Sequence, residues 1–188
     1  MVCEDPLPDI SKYAKTVNEE SKDVFVISSF DVDEPYYEIF KAANLLKKQG
    51  YVFWASGNFR KVGIRPSDWA GVRFLGYLPE PEFYTSLGQS QIVIDLTEQE
   101  NCLVCGAYEA MMLEKPLVAS KTRAMQSYFN SGTVFVDHRA QAIADGVRRA
   151  HENRRELKLQ IKDWKRRAAI TNARKIEAIR AFLNFPER

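Results

Sequence analysis

The sequence predicts an α/β fold, a doubly wound parallel sheet of six strands with helices on both faces. Three observations carry this. Short apolar, β-branched runs alternate with helical periodicity along the chain, the pattern of repeated βαβ units. Residues 23–29 are almost continuously apolar, as a strand covered on both faces is. Residues 91–120 run strand, loop, helix, strand, and a parallel pair needs such a crossover.

In chain order, residues 1–22 are polar, carry Pro6 and Pro8, and fit a linker or irregular edge. Residues 23–29 form the first strand. In the turn after it, Asp33 or Glu34 can cap the next helix, with Pro35 in its first turn. Tyr36, Ile39, Phe40, Ala43 and Leu46 recur at helical spacing as its buried stripe, and Gly50 ends it. Residues 51–56 are the second strand, with Gly57 and Asn58 at its carboxyl end. Residues 59–71 form a basic, then polar loop with a short helical turn. Residues 72–75 are the third strand, closed by Gly76 and Tyr77, and a short helix spans 79–87. The fourth strand is 91–96. Ala107, Ala110 and Met111 give the helix over 104–113 its spacing. The strand over 115–120 has Pro116 at its start, where a missing N–H is tolerated. A short helix (122–128), a sixth strand (132–137) and an amphipathic helix (140–149) follow. In the long basic helix over 153–183, Leu157, Ile161, Trp164 and Ala168 share one packing face. With right-handed crossovers, three βα units on either side of residue 91 give the strand order 3-2-1-4-5-6.

A chain of 188 residues is long enough for one domain with a sizeable core. No apolar run approaches the ~18–20 residues a membrane span needs, and the first residues show no signal pattern. The net charge of +2 is unevenly spread. Residues 139–188 hold 14 Lys/Arg against 6 Asp/Glu, and the remainder holds 13 against 19, so the long helix is basic and the rest acidic. Its basic face is either plainly solvated or turned to an anionic membrane. No nucleic-acid recognition motif accompanies it, so no nucleic-acid partner is expected. Three cysteines are too few and too odd in number for a disulfide framework, which favours a reducing, cytoplasmic setting. Cys102 and Cys105 have redox-motif spacing but sit late in the fold. A zinc site would need His138 or His151, both distant in sequence. Small residues packing a tight loop is the simpler reading. Asp31 and Asp33 have metal-pair spacing, but helix capping accounts for them, and no metal is expected.

The loop over 97–103 leaves the carboxyl end of a strand and feeds a helix start. Ligands of open α/β sheets bind there, and free N–H groups at a helix start attract phosphate. The dinucleotide signature G-x-G-x-x-G does not follow the first strand. The run E-N-C-L-V-C-G-A-Y-E-A-M-M-L-E-K-P-L-V-A-S, ending at Ser120, resembles the donor-site segment of GT-B glycosyltransferases of the family 4 type. That segment has an acidic residue, a small-residue loop, an E-A pair and G-K-P-V-V-A-S. The resemblance implies a Rossmann-like, C-terminal, donor-binding half of a two-domain enzyme, over about residues 23–183. It implies that Glu109 hydrogen-bonds the ribose of a nucleotide sugar. It also implies that the loop of Cys102, Leu103, Val104, Cys105 and Gly106 holds the pyrophosphate through backbone N–H groups. Tyr77 and Leu78, in V-R-F-L-G-Y-L, match positions that lie against the base; Tyr77 alternatively covers the sheet edge.

The family's first acid, which would carry a catalytic role, lies eight positions before the second. Here that position is Asn101, with Glu100 one residue earlier. Either Glu100 serves with a one-residue insertion, or Asn101 has replaced it. The family's Arg and Lys after the first strand are replaced by Asp31, Asp33 and Glu34. Arg60 or Lys61 could substitute, or both are simply solvated. Lys115 is read as a charge complementing the carboxyl end of its own helix. The resemblance implies no cofactor, only a nucleotide-diphosphate sugar as donor substrate. The acceptor would be a glycan or a lipid-linked one, as in polysaccharide biosynthesis. It further implies an N-terminal acceptor domain or partner subunit beyond this chain, so that the chain alone binds donor with little turnover. Peripheral membrane contact stays open. The competing reading is a non-catalytic α/β interaction module that has lost donor binding.

Overall fold

A computed structural model describes residues 7–15 and 18–183, so Cys3 and Pro6 of the lead-in lie outside the described residues. Six strands form one sheet: β1 (Asp23–Val26), β2 (Val52–Ser56), β3 (Val72–Gly76), β4 (Ile92–Asp95), β5 (Leu117–Ser120) and β6 (Thr133–Val136). All pairs are parallel and the order is β3-β2-β1-β4-β5-β6, the predicted one. Six α-helices flank it: α1 (Tyr36–Leu46), α2 (Glu80–Gln89), α3 (Cys105–Met112), α4 (Arg123–Tyr128), α5 (Ala140–Glu152) and α6 (Arg154–Phe182).

The apolar strand runs follow from burial on both faces. Side chains alternate across a strand. Val24, Val26, Ile92, Ile94 and Val118 therefore share one core with Ile39 and Phe40 of α1 and Ile143 and Val147 of α5. Phe25, Val93, Leu117 and Ala119 enter a second core with Leu87 of α2, Met111 of α3, Met125 of α4 and Trp164 of α6. Residues 7–15 pack on the second side: Ile10 is buried and Tyr13 stacks on Tyr84. The carbonyl oxygen of Tyr13 lies 2.2 Å from where a Cβ on Gly88 would stand, so only glycine admits this crossing.

Two local expectations are corrected. Neither Asp33 nor Glu34 caps α1; Pro35 occupies the cap position and no side chain bonds the helix start. Both carboxylates have competing donors nearby. Asp33 accepts from the Thr97 hydroxyl at 2.7 Å, and Glu34 folds back onto the Ser28–Phe30 turn. Capping therefore does not account for Asp31 either, which pairs with Lys61 at 2.7 Å. Lys115 does not serve its own helix. It is buried and donates to the carbonyls of Gly88 (2.6 Å) and Ser90 (2.9 Å), at the carboxyl end of α2. Sequence adjacency pointed to α3, but packing presents α2.

Helix α6 is 29 residues long, about 43 Å at 1.5 Å per residue. Leu157, Ile161 and Trp164 hold it to the domain. The Trp164 indole N–H donates to the carbonyl of Tyr128 (2.8 Å), and its ring packs on Tyr128 and Phe129. Further along, Ile170, Ile176 and Phe182 are exposed. Among the described residues no helix is long and apolar enough to cross a membrane. Removing a buried indole leaves a cavity and an unpaired carbonyl. Trp164→Ala is therefore expected to lower unfolding free energy by about 3–5 kcal/mol, read from denaturant midpoints.

Candidate functional site

Strand order reverses between β1 and β4, and the crevice at their carboxyl ends is where open α/β sheets bind ligands. Four segments meet there: the turn between β1 and α1, the loop over 97–104, the start of α3, and the loop between β3 and α2.

Asp95, the last residue of β4, dominates this edge. Its carboxyl is buried against the first turn of α3, where the backbone N–H groups of Gly106 and Ala107 favour its charged form. A Cβ on Gly106 would stand 2.5 Å from Asp95 Oδ2 and 2.5 Å from Ile27 Cδ1, so the close approach depends on that glycine. Burial first, then the charges of Glu34 and Glu109, push the Asp95 pKa well above the ordinary carboxylate value; the nearby N–H groups of Gly106 and Ala107 oppose this. The sequence signal for Asp95 is an acid closing an otherwise apolar strand.

Glu109 lies one turn further into α3. Its Oε1 accepts the Tyr84 hydroxyl of α2 at 3.1 Å. Burial raises its pKa, and the Tyr84 bond works against that. Burial, then Glu109, pushes Tyr84 up to about 12, so it remains a proton donor through the neutral range. Nothing in the spacing of Tyr84 marked it as this partner; only the packing of α2 beside α3 brings them together.

The preceding loop is held from several sides. Glu100 accepts the Arg123 backbone N–H (3.0 Å) at the start of α4, and Asn101 accepts from the Arg123 guanidinium at 3.4 Å. No disulfide joins Cys102 to Cys105. Burial, then Asp33 and Asp95, raises the Cys102 thiol, which disfavours the thiolate that redox chemistry needs. The N–H groups of Leu103 and Val104, just ahead of α3, meet no acceptor among the described residues. Gly106, of the same loop, opens the first turn of α3 close against Asp95.

The β1 side is acidic and tightly bonded. Glu34 accepts the N–H groups of Ser29 and Phe30, both at 3.0 Å, together with the Ser28 and Ser29 hydroxyls. This clamp offsets the left-handed backbone of Phe30 (φ 59°), costly by about 1–2 kcal/mol for a residue with a Cβ. Thr97 links the turn to the far strands. Its hydroxyl donates to Asp33, and its N–H donates to Ser120 Oγ (2.8 Å), which bonds His138 Nε2 at 2.8 Å. Beside this lies a hollow of about 320 Å³, lined by Ile27, Ser28, Asn58, Lys61, Leu78 and Phe83. Tyr77 stands at its rim, 83% exposed. Its largely apolar wall suits a flat ring. Glu109 does not line it.

Solved structures share this architecture. A glycosyltransferase from Rickettsia africae superposes with a TM-score of 0.71 at 14% identity, over 89% of this chain and 49% of that one. HepE of Anabaena, solved with UDP and glucose, gives 0.68 at 14% identity, over 85% and 48%. TarM of S. aureus gives 0.69 at 20% identity, over 91% and 36%. The fold is that of a GT-B glycosyltransferase domain. The chain spans about half the length of the first two proteins and about a third of TarM. No protein family model and no curated protein matches it.

The acids at the crevice have a measurable consequence. A carboxyl whose pKa is raised by folding keeps its proton longer in the native state. The stability it contributes is complete below the unfolded value and is lost as pH rises through the folded value. Asp95 and Glu109 both shift upward. Thermal stability should therefore fall as pH rises from about 4 toward neutrality, and Asp95→Asn should flatten that slope. Tyr84→Phe removes the bond that lowers Glu109, so the Glu109 carboxyl, followed by carbon NMR, should titrate higher in that variant.

Proposed function

We propose that this chain is the nucleotide-sugar-binding half of a glycosyltransferase that moves a hexose-type sugar to a glycan or lipid-linked acceptor. The observation that carries the reading is Glu109. Its carboxylate stands one turn into the helix at the topological switch point, fixed by Tyr84, in a fold that HepE uses in complexes with UDP and with UDP-glucose. In this reading Glu109 accepts the ribose hydroxyls. The N–H groups of Leu103 and Val104, with their neighbours in the 102–106 loop, face the diphosphate. Preorganised donors of this kind stabilise the charge that develops as a nucleoside diphosphate leaves. Asp95, inclined by burial to its neutral form, then adds little repulsion toward the phosphates. The base lies in the hollow beside Tyr77 and Leu78. Glu100, or Asn101 in its place, is the proposed catalytic position. The acceptor side belongs to a further domain or subunit, so transfer by this chain alone should be negligible.

The test is calorimetric titration of UDP, GDP and ADP, with and without an attached sugar, into the wild-type chain and Glu109→Ala. A hydrogen bond to a charged group contributes about 1.5–3 kcal/mol, so the variant should bind its preferred nucleotide about tenfold to a hundredfold more weakly. Absence of binding to all three nucleotides by the wild-type chain would overturn the reading.

A further inference from the structure

The opposite edge of the sheet carries the opposite charge. Lys115 precedes β5 and Ser90 precedes β4, so both lie at the amino ends of the strands. A second hollow, of about 250 Å³, opens there between residues 11–15, the end of α3 and the start of α6. Four lysines line it, Lys15, Lys115, Lys158 and Lys165, against a single carboxylate, Glu114. Glu114 is already engaged by Lys165 (3.1 Å) and Lys162 (3.7 Å). Neither Lys15 nor Lys158 forms an ion pair among the described residues; Glu19, the acid whose field reaches Lys158, is held by Arg155 at 2.6 Å.

The innermost lysine is the informative one. Lys115 is 3% exposed, and its ammonium uses two of its three N–H donors on the carbonyls of Gly88 and Ser90. Among the described residues no carboxylate pairs with it, and Lys158 repels it. A buried cation so placed lacks a counter-charge. Burial, then Lys158, brings the Lys115 pKa down to about 8, the response expected of an uncompensated ammonium. The hollow is several times the ~30 Å³ share of a water molecule, ample for a tetrahedral oxyanion.

We propose that this hollow is a phosphate-binding site, in which the ammonium groups of Lys15, Lys115 and Lys158 receive the oxygens of a phosphate monoester or inorganic phosphate. Such an anion supplies the missing counter-charge and ties residues 11–15 to α6. It is independent of the nucleotide site, which lies at the other edge of the sheet. The phosphate can be soluble or the headgroup of a lipid, and the experiment separates the two.

The full chain is titrated at low salt with inorganic phosphate by calorimetry. It is also co-sedimented with phosphatidylcholine vesicles with and without phosphatidic acid. Lys15→Ala/Lys158→Ala removes two ligands at accessible positions, and Lys48→Ala/Arg180→Ala removes the same charge elsewhere. Saturable binding of phosphate, at least tenfold weaker in the first variant and little changed in the second, supports the site with a soluble ligand. Binding to phosphatidic acid vesicles alone, with the same variant pattern, supports it with a lipid headgroup. No binding to either, or equal loss in both variants, overturns it. A circular dichroism melt of Lys15→Ala/Lys158→Ala without phosphate verifies that the fold is retained.

Discussion

The close packing of the buried Asp95 carboxyl against the first turn of α3 organises the functional edge of this protein. A helix start presents unpaired N–H groups and a partial positive charge. In this chain the preceding strand sets a carboxyl against that helix start, through a residue buried in the sheet. The consequence is geometric and electrostatic together. Gly106 has to be glycine for Asp95 to reach the helix. Once there, Asp95 is desolvated among other acids and is pushed toward its neutral form.

Charge is sorted between the two edges of the sheet. At the carboxyl edge Asp33, Glu34, Asp95 and Glu109 converge, and Lys61 is committed to Asp31. At the amino edge four lysines gather around one glutamate. The near-zero net charge of the whole chain conceals this. Part of the sorting is local: carbonyls at the ends of α2 and α3 attract Lys115 and Lys165. The excess at Lys15 and Lys158 has no such local cause, and it is this excess that the proposed phosphate site accounts for.

Legibility in the sequence depended on how local the cause was. The strands were legible because burial on both faces leaves long apolar runs, and the order because right-handed crossovers leave few alternatives. The helix over 104–113 was legible from spacing, and Glu109 within it was singled out by the family resemblance. The partner of Glu109 was not, because Tyr84 is 25 residues earlier and meets it only when α2 packs beside α3. Asp33 and Glu34 were assigned to the nearest helix start, yet folding offered donors from Thr97 and the Ser28–Phe30 turn. Lys115 was likewise assigned to its own helix and serves α2.

The sequence by itself determined the class of fold, the six strands and their order, and the position of the crevice, since apolar periodicity and chain connectivity are properties of neighbours along the chain. Tertiary structure alone decided where the polar groups spend their hydrogen bonds. A buried donor or acceptor takes whichever partner the packing presents, and the penalty for leaving it unpaired is the same whether that partner is four residues away or sixty.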